Sequence, residues 1–375
     1  MTSWRQRINP QPMFDVLTMA RQRESLGHYV ARMEIGDTPG FRNDFIHNLV
    51  TKYSSSPYRY SPSRGEDVLI SKVLETQWPS YSSENVVIGP ANFLITAALA
   101  SVTSPEDYVM LPDPGFATYK LSADFLGLKV LYYPVYQGGI PFFPNLNDFV
   151  ADSGRYPKVL IINNPSNPLG IAFEGVQILK SIQPLMGKGM QVIFDETYVN
   201  LVYDDTNPLV SEVEAIRLRS FSKEHCAPGL RMGYAVAASA SARTIADLMS
   251  LSISCAPQFI QFAIAEYLGS PEALVFTNSL KREMGRRHQF LADSIPDGLL
   301  QTTPNAAFYS LIDMGTRGGD EGFSFLLDKN VATCPGSKFG MNSKNSVRVS
   351  LAGPADKFET DIQMLSAALN EWAVQ

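Results

Sequence analysis

The run VVIGPANFLITAALA, residues 86–100, begins with four residues typical of a buried strand and continues, after Pro90, as an apolar run long enough for a helix. Two more pairs of a short β-rich run and a longer amphipathic run follow, namely DYVMLP with FATYKLSADFLG and KVLIINN with VQILKSIQPLM, and a further short run, QVIFDE, comes after them. Strands that alternate with helical patterns indicate βαβ units. The sequence therefore predicts an α/β fold with a mostly parallel sheet covered on both faces by helices.

The remainder of the chain suggests a second, smaller unit. AIRLRSFS and RMGYAVAA are predicted strands, and helices are predicted over 242–253, 258–268 and 271–295. After Pro304 short strands and helices mix without the βαβ alternation, which is typical of an α+β unit. The predicted division is an N-terminal arm with part of the small domain (1–45), a large domain (46–285) and a small C-terminal domain (286–375).

The composition of the chain limits the kinds of molecule that it is expected to bind. The chain has 375 residues, 45% of them hydrophobic, and a formal net charge of -6, which disfavours nucleic acid and anionic membrane surfaces as partners. No apolar signal sequence begins the chain and no run is long enough to span a bilayer, so a cytoplasmic location is expected. Three scattered cysteines and four histidines without ligand spacing indicate no metal site.

The segment SFSKEHCAPGLRMGY, residues 220–234, contains Lys223, a lysine that could take part in catalysis. A lysine is most often a solvated surface charge. A lysine that forms a Schiff base must instead lose its proton near neutral pH, which desolvation or a nearby cation such as Arg231 would favour. The residues alone leave both interpretations of Lys223 open.

This segment resembles the lysine motif of the fold-type I, class I/II aminotransferases, and the resemblance continues in order from about Glu34 to Leu351. It implies a fold-type I architecture, in which a large domain with a mostly parallel mixed sheet between helices is joined to a smaller α+β domain. It also implies pyridoxal 5'-phosphate as cofactor. In that pattern Lys223 carries the aldehyde of the cofactor, while Ser220, Ser222 and Arg231 lie near its phosphate, for which an arginine fork is well suited.

The resemblance assigns two further segments to the cofactor ring. VIFDETY ends a predicted strand, so Asp195 would pair with the pyridine nitrogen and Tyr198 would hydrogen-bond the phenolic oxygen. In NNPSNPLG the matching asparagine is Asn167, which would donate to the same oxygen, with Leu169 where threonine is usual. Without the family, Asp195 could simply cap a helix, and the Asn-Pro pairs could simply form turns.

Phe116, in PDPGFATYK, matches the aromatic residue that stacks on the ring, and Tyr119 is a second aromatic candidate, although a phenylalanine in an apolar loop is more often core. Ala91 and Asn92 match the phosphate-binding pair at a helix N-terminus, where free backbone amides favour an anion. Pro90 stands where the family usually has glycine, which removes one donor.

Three residues complete the predicted site. Tyr60 matches the tyrosine that reaches the phosphate in the neighbouring subunit, which implies a homodimer with shared active sites, although turn chemistry would also explain a tyrosine in this loop. Gly36 matches the small-domain loop that closes over substrate, or serves only a turn. Arg348, on an alternating strand, matches the arginine that holds the α-carboxylate of the substrate, and could otherwise face solvent.

Two reactions fit these residues. In the first, an aminotransferase takes an amino acid, a small-molecule substrate, through an external aldimine, Lys223 moves the α-proton, and an oxo-acid acceptor completes the cycle. In the second, a lyase or cyclase uses the same carbanion to expel a β or γ substituent, as capreomycidine synthases resembling this family do on hydroxylated arginine. A nicotinamide-dependent dehydrogenase is disfavoured because no G-x-G-x-x-G follows a predicted strand.

Overall fold

The chain forms helices and strands in alternation. The computed structural model describes residues 4–374 except 39, 56–58, 212, 301 and 302, so the outermost residues of the predicted terminal domains, 1–3 and 375, lie outside the described residues. The helices are α1 (Met13–Ser25), α2 (Asp44–Ser54), α3 (Asp67–Gln77), α4 (Ala91–Val102), α5 (Ala117–Leu126), α6 (Leu146–Ser153), α7 (Gly175–Met186), α8 (Ser239–Ile253), α9 (Gln258–Tyr267), α10 (Pro271–Ser294), α11 (Gly319–Asp328) and α12 (Phe358–Ala373). The strands are β1 (Ala31–Arg32), β2 (Val86–Gly89), β3 (Tyr108–Asp113), β4 (Lys129–Pro134), β5 (Tyr136–Gln137), β6 (Ile140–Pro141), β7 (Val159–Asn163), β8 (Gln191–Asp195), β9 (Ile216–Ser220), β10 (Gly233–Val236), β11 (Tyr309–Asp313), β12 (Val331–Ala332), β13 (Cys334–Pro335) and β14 (Ser346–Ser350).

Seven strands form the central sheet, in the order β2-β10-β9-β8-β7-β3-β4. Strand β10 runs antiparallel to both of its neighbours, and the remaining pairs are parallel. The prediction of a mostly parallel mixed sheet between helices is confirmed.

Side-chain alternation along the strands builds two apolar layers. On β8, Ile193 packs towards helices α4, α5 and α8, whereas Val192 and Phe194 pack towards α6 and α7. Both faces are apolar because the strands are covered on both sides, as parallel strands usually are. Polar side chains are therefore concentrated at the strand ends, and the carboxyl ends of the parallel strands meet at one edge of the sheet.

The second unit is a three-stranded antiparallel sheet, β11-β14-β13, packed against α11 and α12. The N-terminal segment joins it, because β1 pairs in parallel with β12 and Ala20 on α1 packs with Leu327. Helix α10 runs without interruption through the predicted boundary at 285/286. The domain limits drawn from the sequence therefore stay a prediction.

A buried charge cluster joins the ends of β8 and β9. Glu196 accepts hydrogen bonds through Oε1 from Arg217 (2.5 Å) and through Oε2 from Arg219 (3.0 Å), and all three side chains are buried. Both arginines alternate with Ile216 and Leu218 on β9, so they share the face opposite to those residues. One carboxylate thus balances two desolvated guanidinium groups.

We expect Glu196→Gln to lower the free energy of unfolding by about 3–5 kcal/mol, because removing one partner of a buried ion pair leaves the other charges uncompensated. Urea unfolding followed by circular dichroism measures the change. The matched control is Glu371→Gln, whose exposed pairing with Lys329 contributes little. Equal midpoints for the two variants would contradict this account of the cluster.

Candidate active site

A cavity of about 470 Å³ lies at the carboxyl ends of β7, β8 and β9. Asn163 and Asp195 are opposite each other in the β7–β8 register, and Ser220 ends the next strand. These three residues continue the strand positions that face α4, α5 and α8, so the side-chain period of two directs them into the same space. The sheet therefore supplies a rigid floor for the cavity.

Asp195 is the buried carboxylate of this floor, with 5% of its surface exposed. Its Oδ2 accepts a hydrogen bond from the Tyr119 hydroxyl (2.7 Å), and its Oδ1 accepts from the Thr197 hydroxyl (2.6 Å) and the Thr197 amide (3.2 Å). Burial raises the pKa of Asp195, and these hydrogen bonds act in the opposite direction. A cation placed against this carboxylate would stabilise its ionised form.

Two tyrosine hydroxyls meet beside Asn167. The Tyr198 and Tyr309 hydroxyl oxygens lie 3.0 Å apart, and burial raises the pKa of Tyr198 well above its usual value. Asn167 is held by its backbone amide, which donates to Asn163 Oδ1 (2.8 Å), and its own Oδ1 accepts from Arg348 (3.2 Å). Tyr198 and Asn167 therefore both line the cavity with their positions set by neighbours.

Lys223 is half-buried and lies in the turn that follows β9. Its Nζ donates a hydrogen bond to the backbone carbonyl of Gly36. A Cβ atom at Gly36 would lie 1.8 Å from the Tyr309 hydroxyl oxygen, so a side chain at this position would displace the Tyr309 ring. The lysine is thereby held against a backbone segment from the N-terminal part of the chain.

The other end of the cavity is suited to an anion. Helix α4 begins there, and Ala91 and Asn92 have amides in the first turn, where no intrahelical acceptor is available. Ser220 Oγ accepts from the Ser222 amide (3.2 Å), and Arg231 is held in a left-handed conformation (φ 56°) with its guanidinium on the Pro228 carbonyl.

Pro90 is the residue before the first turn of α4, and its carbonyl accepts from the amides of residues 93 and 94. The missing proline N–H is therefore not one of the first-turn amides. This departure from the family pattern leaves the amides of Ala91 and Asn92 in place.

Arg348 on β14 lines another side of the cavity and is fully buried. It donates to the Glu34 carbonyl (2.6 Å) and packs over the Tyr309 ring (4.5 Å from the guanidinium carbon to the ring centre). Its Nε finds no hydrogen-bond acceptor among the described residues. A buried guanidinium held by neutral acceptors is well suited to bind a carboxylate.

Most of the predicted site residues line this one cavity: Gly36, Ala91, Asn92, Phe116, Asn167, Asp195, Tyr198, Ser220, Ser222, Lys223, Arg231 and Arg348. Tyr60 does not line it, and 88% of its surface is exposed. Phe116 is half-buried and packs edge-on against Tyr119, with ring centres 5.7 Å apart.

The sequence did not point to Asn163, Thr197 or Tyr309 as site residues. It indicated Tyr119 only as a second aromatic candidate beside Phe116. Tyr119 lies three residues after Phe116, the N-cap residue of α5, and the two rings meet edge-on. Thr197 follows Asp195 by two residues, which is the spacing of a local side-chain-to-backbone hydrogen bond. Tyr309 has no local signal, because its partner Tyr198 is 111 residues away in sequence.

The fold and the cavity together are those of an enzyme that works at the strand ends of an α/β sheet. The sequence matches the family Aminotransferase class I and II over residues 59–363, most of the chain. The chain therefore belongs to the class I and II aminotransferase family, and it is a pyridoxal-phosphate-dependent aminotransferase that acts on an amino acid.

Sequence similarity to individual relatives extends along nearly the whole chain. It is 27% identical to a probable aspartate/prephenate aminotransferase of Aquifex aeolicus (97% of each chain covered) and 26% identical to a (5-formylfuran-3-yl)methyl phosphate transaminase of Methanocaldococcus jannaschii (96% of each). The crystal structure of Pyrococcus protein-A1 superposes with a TM-score of 0.90 at 21% identity, with both chains fully covered, which supports the fold. None of these findings favours the lyase or cyclase alternative over transamination.

The residues in the cavity fit pyridoxal phosphate. Asp195 is a buried carboxylate whose donors are hydroxyls and an amide, so it suits a protonated pyridine nitrogen. The amides of α4, Ser220, Ser222 and Arg231 form a donor set for a phosphate at the opposite end, and Lys223 lies in the same cavity.

No described helix is both long and apolar enough to cross a membrane. In the same part of the chain, no cluster of three or more histidine, cysteine, aspartate or glutamate side chains has the arrangement of a metal site.

We expect Tyr119→Phe to shift the acid limb of the kcat/KM profile to higher pH. The Tyr119 hydrogen bond lowers the pKa of Asp195, so its loss raises that pKa further and the ionised form is lost at a higher pH as the solution is acidified. The profile is measured with the cofactor-loaded enzyme. Tyr133→Phe is the control, since it removes a buried hydroxyl that donates to the Ile161 carbonyl (2.8 Å), and an equal shift in both variants would contradict the assignment.

Proposed function

We propose that this cavity carries out transamination with the roles that the sequence assigned to its residues. The observation that carries the proposal is the convergence of Lys223, Asp195 and Arg348 on one cavity. When bound, pyridoxal phosphate supplies a sink for the electron pair left on the α-carbon of the substrate. Asp195, as a buried carboxylate at the pyridine end, would favour the protonated ring nitrogen on which that sink depends.

Lys223 is the residue proposed to move the proton. Its Nζ would take the proton from the α-carbon of the substrate and hold it for the return transfer, and the Gly36 carbonyl would orient the amine by the hydrogen bond it accepts. Tyr198 and Asn167 would hydrogen-bond the phenolic oxygen of the ring. The Tyr309 hydroxyl, whose oxygen lies 3.0 Å from that of Tyr198, would orient the Tyr198 hydroxyl.

Arg348 is proposed to bind the α-carboxylate of the substrate. Its guanidinium is fixed by the Glu34 carbonyl and by the ring of Tyr309, so it is preorganised for the substrate. A carboxylate held there would orient the α-carbon so that one face meets Lys223. Positioning of this kind is a large part of the catalytic effect of such clamps.

The decisive experiment incubates cofactor-loaded enzyme with an amino acid and no oxo-acid acceptor, following the cofactor spectrum and the mass of the products. An aminotransferase produces one equivalent of oxo acid and stops until an oxo acid is added. Repeated turnover without acceptor, with a product that has lost a leaving group, would instead establish the lyase or cyclase.

Lys223→Ala is expected to slow the half-reaction at least about a hundredfold, because the residue is the proposed general acid and base. Glu371→Gln, remote from the cavity, controls for handling of the protein. Retention of the full half-reaction rate in Lys223→Ala would overturn the role of the lysine.

We also propose a homodimer in which Tyr60 acts in the active site of the partner subunit. Tyr60 is 88% exposed and lies outside the cavity of its own chain, in agreement with a role towards a second copy. The family is typically dimeric, which supports this assembly. The cytoplasmic location expected from the sequence stays a prediction.

Mixed dimers test the shared site. A hybrid of a Tyr60→Ala subunit with a Lys223→Ala subunit contains one fully native site if Tyr60 crosses the interface, so refolded mixtures should recover about a quarter of wild-type activity. Each variant refolded alone is the control. If the mixture is no more active than the average of the two variants, Tyr60 does not act across the interface.

A further inference from the structure

The residue that follows Lys223 is a buried acid, Glu224. Among the described residues, Ser222 and Lys223 line the catalytic cavity and Glu224 does not. Burying a carboxylate is costly unless it is hydrogen-bonded or paired with a charge. The contacts that stabilise Glu224 therefore indicate what it does beside the lysine.

One contact joins Glu224 to the chain segment that follows β8. Its Oε2 accepts a hydrogen bond from Asn200 Nδ2 (2.6 Å). Asn200 comes two residues after Tyr198 and five after Asp195, both of which line the cavity. The carboxylate therefore holds the lysine turn against the segment whose residues would contact the cofactor ring.

The charges around Glu224 keep it ionised. Its Oε1 lies 3.2 Å from His225 Nε2, and the guanidinium of Arg219 on β9 is buried close to it. Burial raises the pKa of Glu224, but His225 and Arg219 outweigh burial and hold that pKa below its usual value. An ionised carboxylate makes a stronger hydrogen bond to Asn200 than a neutral acceptor would make.

His225 anchors the other side of the same turn. Its Nδ1 lies 3.3 Å from the Tyr267 hydroxyl oxygen. Asn43 Nδ2 donates to that hydroxyl (2.9 Å) and to the His225 carbonyl (3.3 Å). Asn43 comes seven residues after Gly36, whose carbonyl accepts the hydrogen bond of Lys223. The network thus reaches both the lysine turn and the segment that supplies the partner of the lysine.

The chemistry proposed for Lys223 depends on where its Nζ lies. A displacement of about 1 Å in a reacting group can cost about a hundredfold in rate. The lysine side chain is a flexible four-carbon stem, so its Nζ can be held in place only if the backbone that carries it is fixed. The contacts of Glu224 fix that backbone from the side opposite to the cavity.

We infer that Glu224 is a positioning residue for Lys223. Its carboxylate holds the lysine turn in register with the segment that carries Asp195 and Tyr198, so that Nζ stays within reach of the α-carbon of the substrate. The inference rests on the role proposed for Lys223 and adds a residue that acts through the lysine without touching substrate or cofactor.

The first test separates rate from binding. In single-turnover measurements on cofactor-loaded enzyme, with an amino acid that the wild type converts, Glu224→Ala should slow the half-reaction about 10- to 100-fold at saturation. The amino acid concentration that gives half the maximal rate should change by less than about threefold. Asn200→Ala removes the same hydrogen bond from its other end and should act in the same direction, and the double variant should be no slower than Glu224→Ala alone.

A matched control removes another buried carboxylate. Asp361 in the small unit is buried, accepts from the Tyr29 hydroxyl (2.6 Å) and does not line the cavity. Asp361→Ala should lower the midpoint of urea unfolding and leave the half-reaction unchanged. An equal loss of rate in Asp361→Ala and Glu224→Ala would mean that both act only through stability.

Two further measurements report on the lysine itself. The visible circular dichroism of the bound cofactor, which depends on how rigidly the lysine holds it, should weaken in Glu224→Ala and Asn200→Ala and persist in Asp361→Ala. In a Lys223→Ala background, with methylamine added as an external base, Glu224→Ala should cause no further loss of rate, because there is no lysine left to position.

The outcomes separate this inference from the proposed function. If Glu224→Ala and Asn200→Ala react at the wild-type rate, or if Glu224→Ala costs the same factor with and without Lys223, Glu224 does not position the lysine, while the role of Lys223 stands. If Lys223→Ala itself keeps the full rate, the role proposed for the lysine fails and the positioning role fails with it.

Discussion

Burying a carboxylate at the end of β8 is the constraint on which the rest of the site depends. A desolvated carboxylate is costly unless it is hydrogen-bonded or paired with a charge. Asp195 meets this requirement with the hydroxyls of Tyr119 and Thr197, and the next residue, Glu196, meets it with two arginines of β9. Two adjacent acidic residues thus face opposite sides of the sheet, Asp195 towards the cavity and Glu196 towards the two arginines of β9.

The small unit completes the site through tightly packed aromatic and backbone groups. Tyr309 on β11 contacts Tyr198 through its hydroxyl, lies under the guanidinium of Arg348 and packs so closely on Gly36 that a side chain there would displace its ring. Gly36 in turn accepts the hydrogen bond of Lys223. One tyrosine therefore contacts Tyr198 and Arg348 and packs against the glycine that accepts the hydrogen bond of Lys223.

The sequence predicted features that depend on neighbouring residues better than features that depend on residues far apart in the chain. Strands such as β7 and β8 are visible in alternation and apolar runs, because their burial on both faces leaves a local pattern. Asp195, Lys223 and Arg348 could be proposed because each lies in a motif of the family it resembles. The hydrogen bond from Tyr119 to Asp195 could not be predicted, since the two residues are 76 positions apart and the contact exists only after the sheet has formed. The same holds for Tyr309, which is 111 residues from its partner Tyr198.

The central sheet and the N-terminal segments supply different parts of the cavity lining. Residues at the strand ends are linked to buried ion pairs and to the packing of both sheet faces, so altering them endangers folding and cofactor binding together. Met13, Phe14, Ile35 and Asp37 come from short segments outside the central sheet. Sequence changes in these segments can therefore reshape part of the cavity lining without altering the sheet or the residues at its strand ends.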